Sequence, residues 1–279
     1  MNPLEPDQPS HQLFGFDAFS PKEIAERIEN VGVTKAKLAF GPMLMLGILA
    51  GVFIGLGSLF FMVVSSDPTI SFGISRLLGG LVFSLGLVFV VVAGAELFTG
   101  NNLIVMAWAD GRIKGYEVIR NWGIVCLGNL IGAVGLAVIV YLSGHPHMNH
   151  GEVAKGYIKV AAMKCQLPFL QAFFSGMLCN IFVCLAVWMA QAGRSVIDKV
   201  VVILFPVAAF VAAGFEHSIA NMYFIPMGIL LKSEYATPEQ IQWINALGMI
   251  KNLFPVILGN LVGGSGFVAL FYYLIYRKK

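Results

Sequence analysis

The apolar runs in this chain are too long and too frequent for a water-soluble fold. Six of them lie between Leu38 and Tyr276, at about 38–64, 74–109, 117–142, 168–191, 199–231 and 249–276. A helix needs roughly 20 apolar residues to cross a bilayer. Inside lipid every backbone polar group must find a partner within its own segment, so runs of this length read as helices. Only 12% of the 279 residues are charged and mean hydropathy is +0.80, whereas soluble domains carry about 25% charged residues. The chain therefore reads as an all-α membrane protein. The first run follows a polar leader, so no cleavable signal peptide is expected. A net charge of +3 is too small to point to a nucleic-acid partner. Three of the four cysteines, Cys126, Cys179 and Cys184, lie inside apolar runs, and Cys165 stands just before one. They form no CxxC pair and suggest no disulfide framework.

Four of the runs have ordinary lengths. The second and fifth are too long for a single crossing, and both carry polar residues near their middle. Tilt absorbs excess length but does not explain buried glutamates. A broken helix explains both, because irregular backbone is tolerated at membrane depth only where it is buried in protein or lines a cavity. With both termini cytoplasmic, twelve lysines and arginines fall on the inner side and six on the outer, the direction the positive-inside rule favours.

The chain then divides into a cytoplasmic leader (1–36), a first three-helix unit (37–143), an outer loop (144–167), a second three-helix unit (168–276) and a short cytoplasmic end (277–279) anchored by "RKK". Within the leader, "SPKEIAERIENV" reads as an amphipathic helix with Ser20 as cap, Pro21 at its first position and Glu23 closing a capping box. Its Ile24, Ile28 and Val31 face lies on the membrane surface or at the cytoplasmic mouth, as a gate or a plain lead-in. "TPEQIQWINALG" in the last outer loop reads as a short interfacial helix capped by Thr237, with Pro238 at its first position.

The two units repeat one another. "GILAGVFIGL" (47–56) resembles "GMLCNIFVCL" (176–185), "GAELFTGN" (94–101) resembles "GFEHSIAN" (214–221), and "RNWGIVCLGNLIG" (120–132) resembles "KNLFPVILGNLVG" (251–263). The offsets are 129, 120 and 131 residues, in the same order. Three crossings per unit is an odd number, so the second copy enters the membrane from the opposite side. Inverted repeats with paired interrupted helices mark transporters and channels. Gly47, Gly51 and Gly55, and the pairs Gly128 with Gly132 and Gly259 with Gly263, read as close-packing seams.

The facing segments carry the chemistry. Gly94 and Gly214 permit sharp turns. Glu96 and Glu216 follow at matched positions, either accepting bonds from freed backbone N–H groups or touching a permeant. Asn101 and Asn221 match as well and read as bonded across the break. The symmetry fails one position after glutamate, where Leu97 stands opposite His217, the one histidine inside an apolar run. It is either a core histidine bonded to a neighbour or a functional intramembrane group. His11 lies in the leader. His145, His147 and His150 lie in "HPHMNH", which reads as a solvated loop or a metal-binding one. No HExxH order, catalytic triad or phosphate-binding motif is present, so no metal and no cofactor is expected. Lys164, just outside the fourth run, reads as an interfacial lysine or an anion-attracting one, with Asn180 deeper as a hydrogen-bond donor.

"GFEHSIANMYFIPMGI", "GGLVFSLGL", "GAELFTGN", "NWGIVCLGNLIGA", "CNIFVCLAVWMAQAGRSVIDK" and "LGNLVGG" together resemble the formate/nitrite transporter family, nearest to its formate channel branch, over almost the whole chain. The resemblance implies six transmembrane helices in two inverted three-helix repeats, aquaporin-like, with the second and fifth broken. It also implies a homopentamer of separate pores in a bacterial inner membrane. His217 would be the central pore histidine and Thr99 its partner, with Lys164 and Asn180 near the pore. Hydrophobic constrictions would be Leu97, Phe98 and Val183 on one side of His217, and Phe83, Leu87 and Phe210 on the other. Glu96 stands where some relatives have aspartate. The expected function is pH-dependent transport of formate or a similar small monovalent anion, with His217 lending a proton or a strong hydrogen bond. Nitrite or hydrosulfide transport, an aquaporin-like neutral-solute pore and, at further remove, a membrane enzyme using His217 and Glu216 are the alternatives.

Overall fold

The computed structural model describes residues 18–278. His11 and Lys279, the last residue of "RKK", lie outside this range. The chain is helical almost throughout. A leader helix α1 (Pro21–Ala36) begins at a full capping box, with the Ser20 side chain accepting from Glu23 N–H and the Glu23 carboxylate accepting in return. It leads into α2 (Phe40–Ser65) and α3 (Phe72–Gly94). After the first break, a tight turn at Gly100–Ile104 enters α4 (Val105–Ala109). Next come α5 (Gly115–Leu142) and α6 (Glu152–Gln166). The second half holds α7 (Phe169–Ala190), α8 (Val196–Ala213), α9 (Ser218–Tyr235), the short α10 (Pro238–Trp243) and α11 (Ala246–Tyr276). Helices α2, α3, α5, α7, α8 and α11 are each long and apolar enough to cross a membrane.

The six expected runs agree with these helices to within about a turn, and α10 begins at the Thr237–Pro238 cap as anticipated. The segment read as an outer loop is not a loop throughout, because α6 occupies residues 152–166 of it. Its composition is too polar for a crossing helix, yet Val153, Tyr157, Ile158, Ala161 and Cys165 are buried along one stripe. "HPHMNH" itself folds into short tight turns, with His147 Nδ1 against the Tyr235 hydroxyl at 2.8 Å. Among the described residues no group of three candidate ligands could hold a metal ion.

Glycine seams hold α2 to α5 and α7 to α11. A Cβ at Gly51 would lie 2.1 Å from Asn129 O, and one at Gly132 2.0 Å from Ile48 O. In the second half, a Cβ at Gly259 would lie 2.0 Å from Phe173 O, and one at Gly263 2.1 Å from Met177 O. These pairs let backbones touch, as small residues four apart do in membrane helices. The centre of the molecule is the start of α9, where every residue from Glu216 to Gly228 is buried.

Candidate functional site

Both long helices break at a glycine. Gly94 has φ +90° and Gly214 φ +81°, a conformation other residues adopt only with strain. The chain then runs extended before the next turn begins, at Ala95 on one side and at His217 on the other.

The groups freed by the two breaks are satisfied by two networks that correspond in their main bonds, with Lys35 also donating to Asn101 Oδ1 in the first and Asn252 also donating to Glu216 in the second. Asn129 Nδ2 donates to Gly47 O (2.8 Å) and Glu96 O (2.9 Å), while its Oδ1 accepts from Phe98 N–H (2.9 Å). Asn260 Nδ2 donates to Gly176 O (2.8 Å) and Glu216 O (3.2 Å), and its Oδ1 accepts from Ser218 N–H (3.1 Å). Asn101 donates to the Glu96 carboxylate at 2.6 Å and Asn221 to that of Glu216 at 2.6 Å. Asn121 and Asn252 accept from those asparagines and donate to the carbonyls of Lys35 and Lys164. Each glutamate closes an ion pair, Lys35 to Glu96 at 2.9 Å and Lys164 to Glu216 at 2.8 Å.

This arrangement divides labour differently from the sequence expectation for the glutamates. Their carboxylates take side-chain donors, and asparagines on α5 and α11 hold the freed backbone N–H groups. Lys164 is neither a loose interfacial lysine nor a free charge.

The asymmetric pair stands where these networks meet. His217 caps α9, its Nδ1 accepting from Ala220 N–H at 3.2 Å. Its Nε2 lies 3.0 Å from Thr99 Oγ1. With Nδ1 committed as an acceptor, the ring is the tautomer protonated at Nε2, which donates to the threonine. The Thr99 hydroxyl proton then remains to be donated elsewhere. Phe210 stacks on the imidazole with ring centres 5.9 Å apart, and Phe83 meets Phe210 edge to face at 6.0 Å.

Three cavities line up through this region. One of about 280 Å³ is bordered by α6 and the second break, including Lys164, Glu216, His217, Arg76, Phe83 and Phe210. One of about 430 Å³ is bordered by α1 and the first break, including Lys35, Glu96, Leu97, Leu87 and Gln191. Between them is a pinch of about 10 Å³ at Phe83, Leu87, Leu97, Val183, Phe210 and His217. That is room for about one water molecule.

Comparison with known proteins follows from this geometry. The formate/nitrite transporter family matches residues 22–274. The chain belongs to the formate/nitrite transporter family. It is 41% identical over 275 residues to the Escherichia coli (strain K12) formate channel FocA, covering 95% of this chain and 96% of that one. It is 37% identical to a probable formate transporter of Methanothermobacter thermautotrophicus, covering 93% and 98%. Among solved structures, a pentameric formate channel with formate bound superimposes with TM-score 0.78 at 42% identity, covering 86% of this chain and 98% of that one.

In this formate/nitrite transporter chain the pore residues expected from sequence do not all border the cavities. Leu87 groups with Leu97 towards α1, whereas Phe83 groups with Phe210 and His217 towards α6. Phe83 and Leu87 are four residues apart on one helix face, about 6 Å along the axis, so they cannot lie at one level. Phe98, Thr99 and Asn180 do not border the three cavities; Thr99 is buried behind His217. The Phe98 side chain is buried, and Asn180 Nδ2 braces the carbonyls of Thr99 and Asn260 at 3.2 and 2.7 Å.

Sequence reasoning passed over Lys35, Asn129 and Asn260, Asn121 and Asn252, and Arg76. A signal for the first did exist. Lys35 and Lys164 are 129 residues apart, the same offset that relates α2 to α7.

Proposed function

We propose that this protein is a transmembrane channel for formate, selecting small monovalent anions and passing them through the pinch beside His217. The observation that carries the reading is His217, bonded through Nε2 to the buried Thr99 hydroxyl behind it, bordering a constriction with room for about one water between two larger cavities. A carboxylate cannot keep its hydration shell there, and burying an ion costs several kcal/mol even after relaxation. The Nε2–H of His217, steadied by the Thr99 hydroxyl, supplies a hydrogen bond in place of the lost water. Full proton transfer gives the neutral acid, which crosses without the ionic cost. The proton reaches His217 from water in a neighbouring cavity. Protonating Nδ1 breaks the Ala220 cap and sets positive charge on the positive end of α9. Passing the Nε2 proton to the substrate removes the charge and leaves the neutral ring protonated at Nδ1; the cap is restored when Nε2 takes a proton from water and Nδ1 releases its own.

The corresponding networks at the two breaks support a repeat whose halves enter the membrane from opposite sides, with α1 and α6 as matched flanking helices. The excess of lysine and arginine on one face supports cytoplasmic termini in a bacterial inner membrane. The pentameric relative supports a homopentamer with one pore per protomer. No catalytic turnover is assigned to His217 and Glu216.

Labelled formate uptake into proteoliposomes tests the reading. Uptake should saturate, should be competed by excess unlabelled formate, and should exceed uptake of nitrite and hydrosulfide. Water-driven swelling with no anion flux would contradict it.

A further inference from the structure

The two large cavities do not carry the same charge. The ionised side chains bordering the α1-side cavity are Lys35 and Glu96, and these are paired. The α6-side cavity repeats that pair as Lys164 and Glu216, and adds Arg76. At the 120-residue offset that relates the two breaks, Arg76 falls on Val196, so the second half offers no equivalent to the α1-side cavity. Among the described residues no carboxylate forms an ion pair with Arg76. Its Nε donates to Ala212 O at 2.9 Å and its Nη2 to Val211 O.

These two contacts fix what the guanidinium can do. Val211 and Ala212 lie in the last turn of α8, whose carbonyls lose their i+4 donors at the Gly214 break, Val211 O keeping only Gly214 N–H at 3.0 Å. Arg76 satisfies them and offsets the negative end of that half-helix. The bonds also hold the planar fork in place, with N–H groups left over. A guanidinium held this way suits a planar carboxylate, because the two can share parallel hydrogen bonds. The geometry crowds the break as well: a Cβ on Gly214 would lie 3.1 Å from Arg76 Nη2.

We propose that Arg76 is a specificity-determining residue that makes the α6-side cavity the anion-attracting end of the pore, concentrating small carboxylates there before they reach His217. The proposal rests on the formate reading above. It makes the two faces of one channel unequal, so that half-saturation by formate comes at lower concentration from the α6 face than from the α1 face.

The experiment is side-resolved flux of labelled formate through the full-length protein, reconstituted in vesicles in each of the two orientations. In the wild type, half-saturation is lower on the α6 face and rises more steeply there with ionic strength, because screening acts on the uncompensated charge. Arg76→Gln raises half-saturation about fivefold on the α6 face, the scale of one charge acting across a hydrated cavity. It leaves the α1 face unchanged, and Arg76→Lys restores most of the difference. An unchanged α6 face overturns the proposal. An equal shift on both faces, or one that lysine fails to rescue, reduces Arg76 to a helix cap and also overturns it. Should Arg76→Gln fail to assemble, equal salt dependence on the two wild-type faces is the contradicting result. Absence of labelled-formate flux from either wild-type face would instead overturn the formate reading itself.

Discussion

At His217 the two ring nitrogens are committed in opposite directions, Nδ1 to Ala220 N–H and Nε2 to Thr99 Oγ1. The threonine hydroxyl accepts from the imidazole and still has its own proton to give, and on the proposed function it steadies the Nε2–H that meets the permeant. Replacing Thr99 by valine keeps the shape and leaves a buried Nε2–H without a partner, at a cost of about 1–3 kcal/mol. Formate flux through Thr99→Val is expected to fall about tenfold or more with the protein still folded, measured by uptake beside a thermal unfolding curve. The histidine itself was legible in the sequence because the repeat breaks there, with Leu97 in the matched position. Its partner came only from the family resemblance: Thr99 is one hydroxyl among many and carries no ionisable signal. Arg76 gave no signal either, since the bonds that define it run to carbonyls 135 and 136 residues away.

Among the elements, each break is held by one asparagine from a neighbouring helix. Asn260 serves three backbone groups around Glu216, and Asn129 serves the matching three around Glu96. Asn260→Leu leaves those groups buried without partners, and the expected loss is about 3 kcal/mol or more. Denaturant unfolding in detergent checks it, and Asn129→Leu should lose a similar amount if the two breaks are equivalent. The six apolar runs, the two broken helices and the glycine seams were all legible, because hydropathy and small-residue spacing are local properties of sequence. Helix α6 was not, since its buried stripe sits in a polar segment and its burial depends on α9 and α11. The role of α1 was hidden for the same reason. Only contact with the first break reveals that Lys35 does there what Lys164 does at the second.

At the scale of the whole molecule, α1 is held by ion pairs to residues just after α11 and between α4 and α5. Its Glu29 is buried against Arg277 at 2.9 Å, with Arg112 at 3.9 Å. Burial pushes the Glu29 carboxyl above its ordinary range, the nearby Asp110 adding to this, against the pull of Arg277 and Arg112. The docked helix therefore binds a proton more readily than a released one. Docking is strongest below the ordinary glutamate range and weakens as pH rises through the raised value. Amide exchange in α1 should accordingly quicken from acid towards neutral pH beyond its intrinsic rise, and Glu29→Gln should abolish that excess. Proton movement reveals which species crosses the pinch. Proteoliposomes of wild type and His217→Phe, loaded with a pH-sensitive dye and given an inward formate gradient at several pH values, decide the matter. Lumenal acidification is expected in step with wild-type formate uptake and steeply dependent on pH, with both the coupling and the pH dependence lost in His217→Phe. Formate uptake in the variant with the wild-type pH profile and the same acidification would contradict proton transfer by His217.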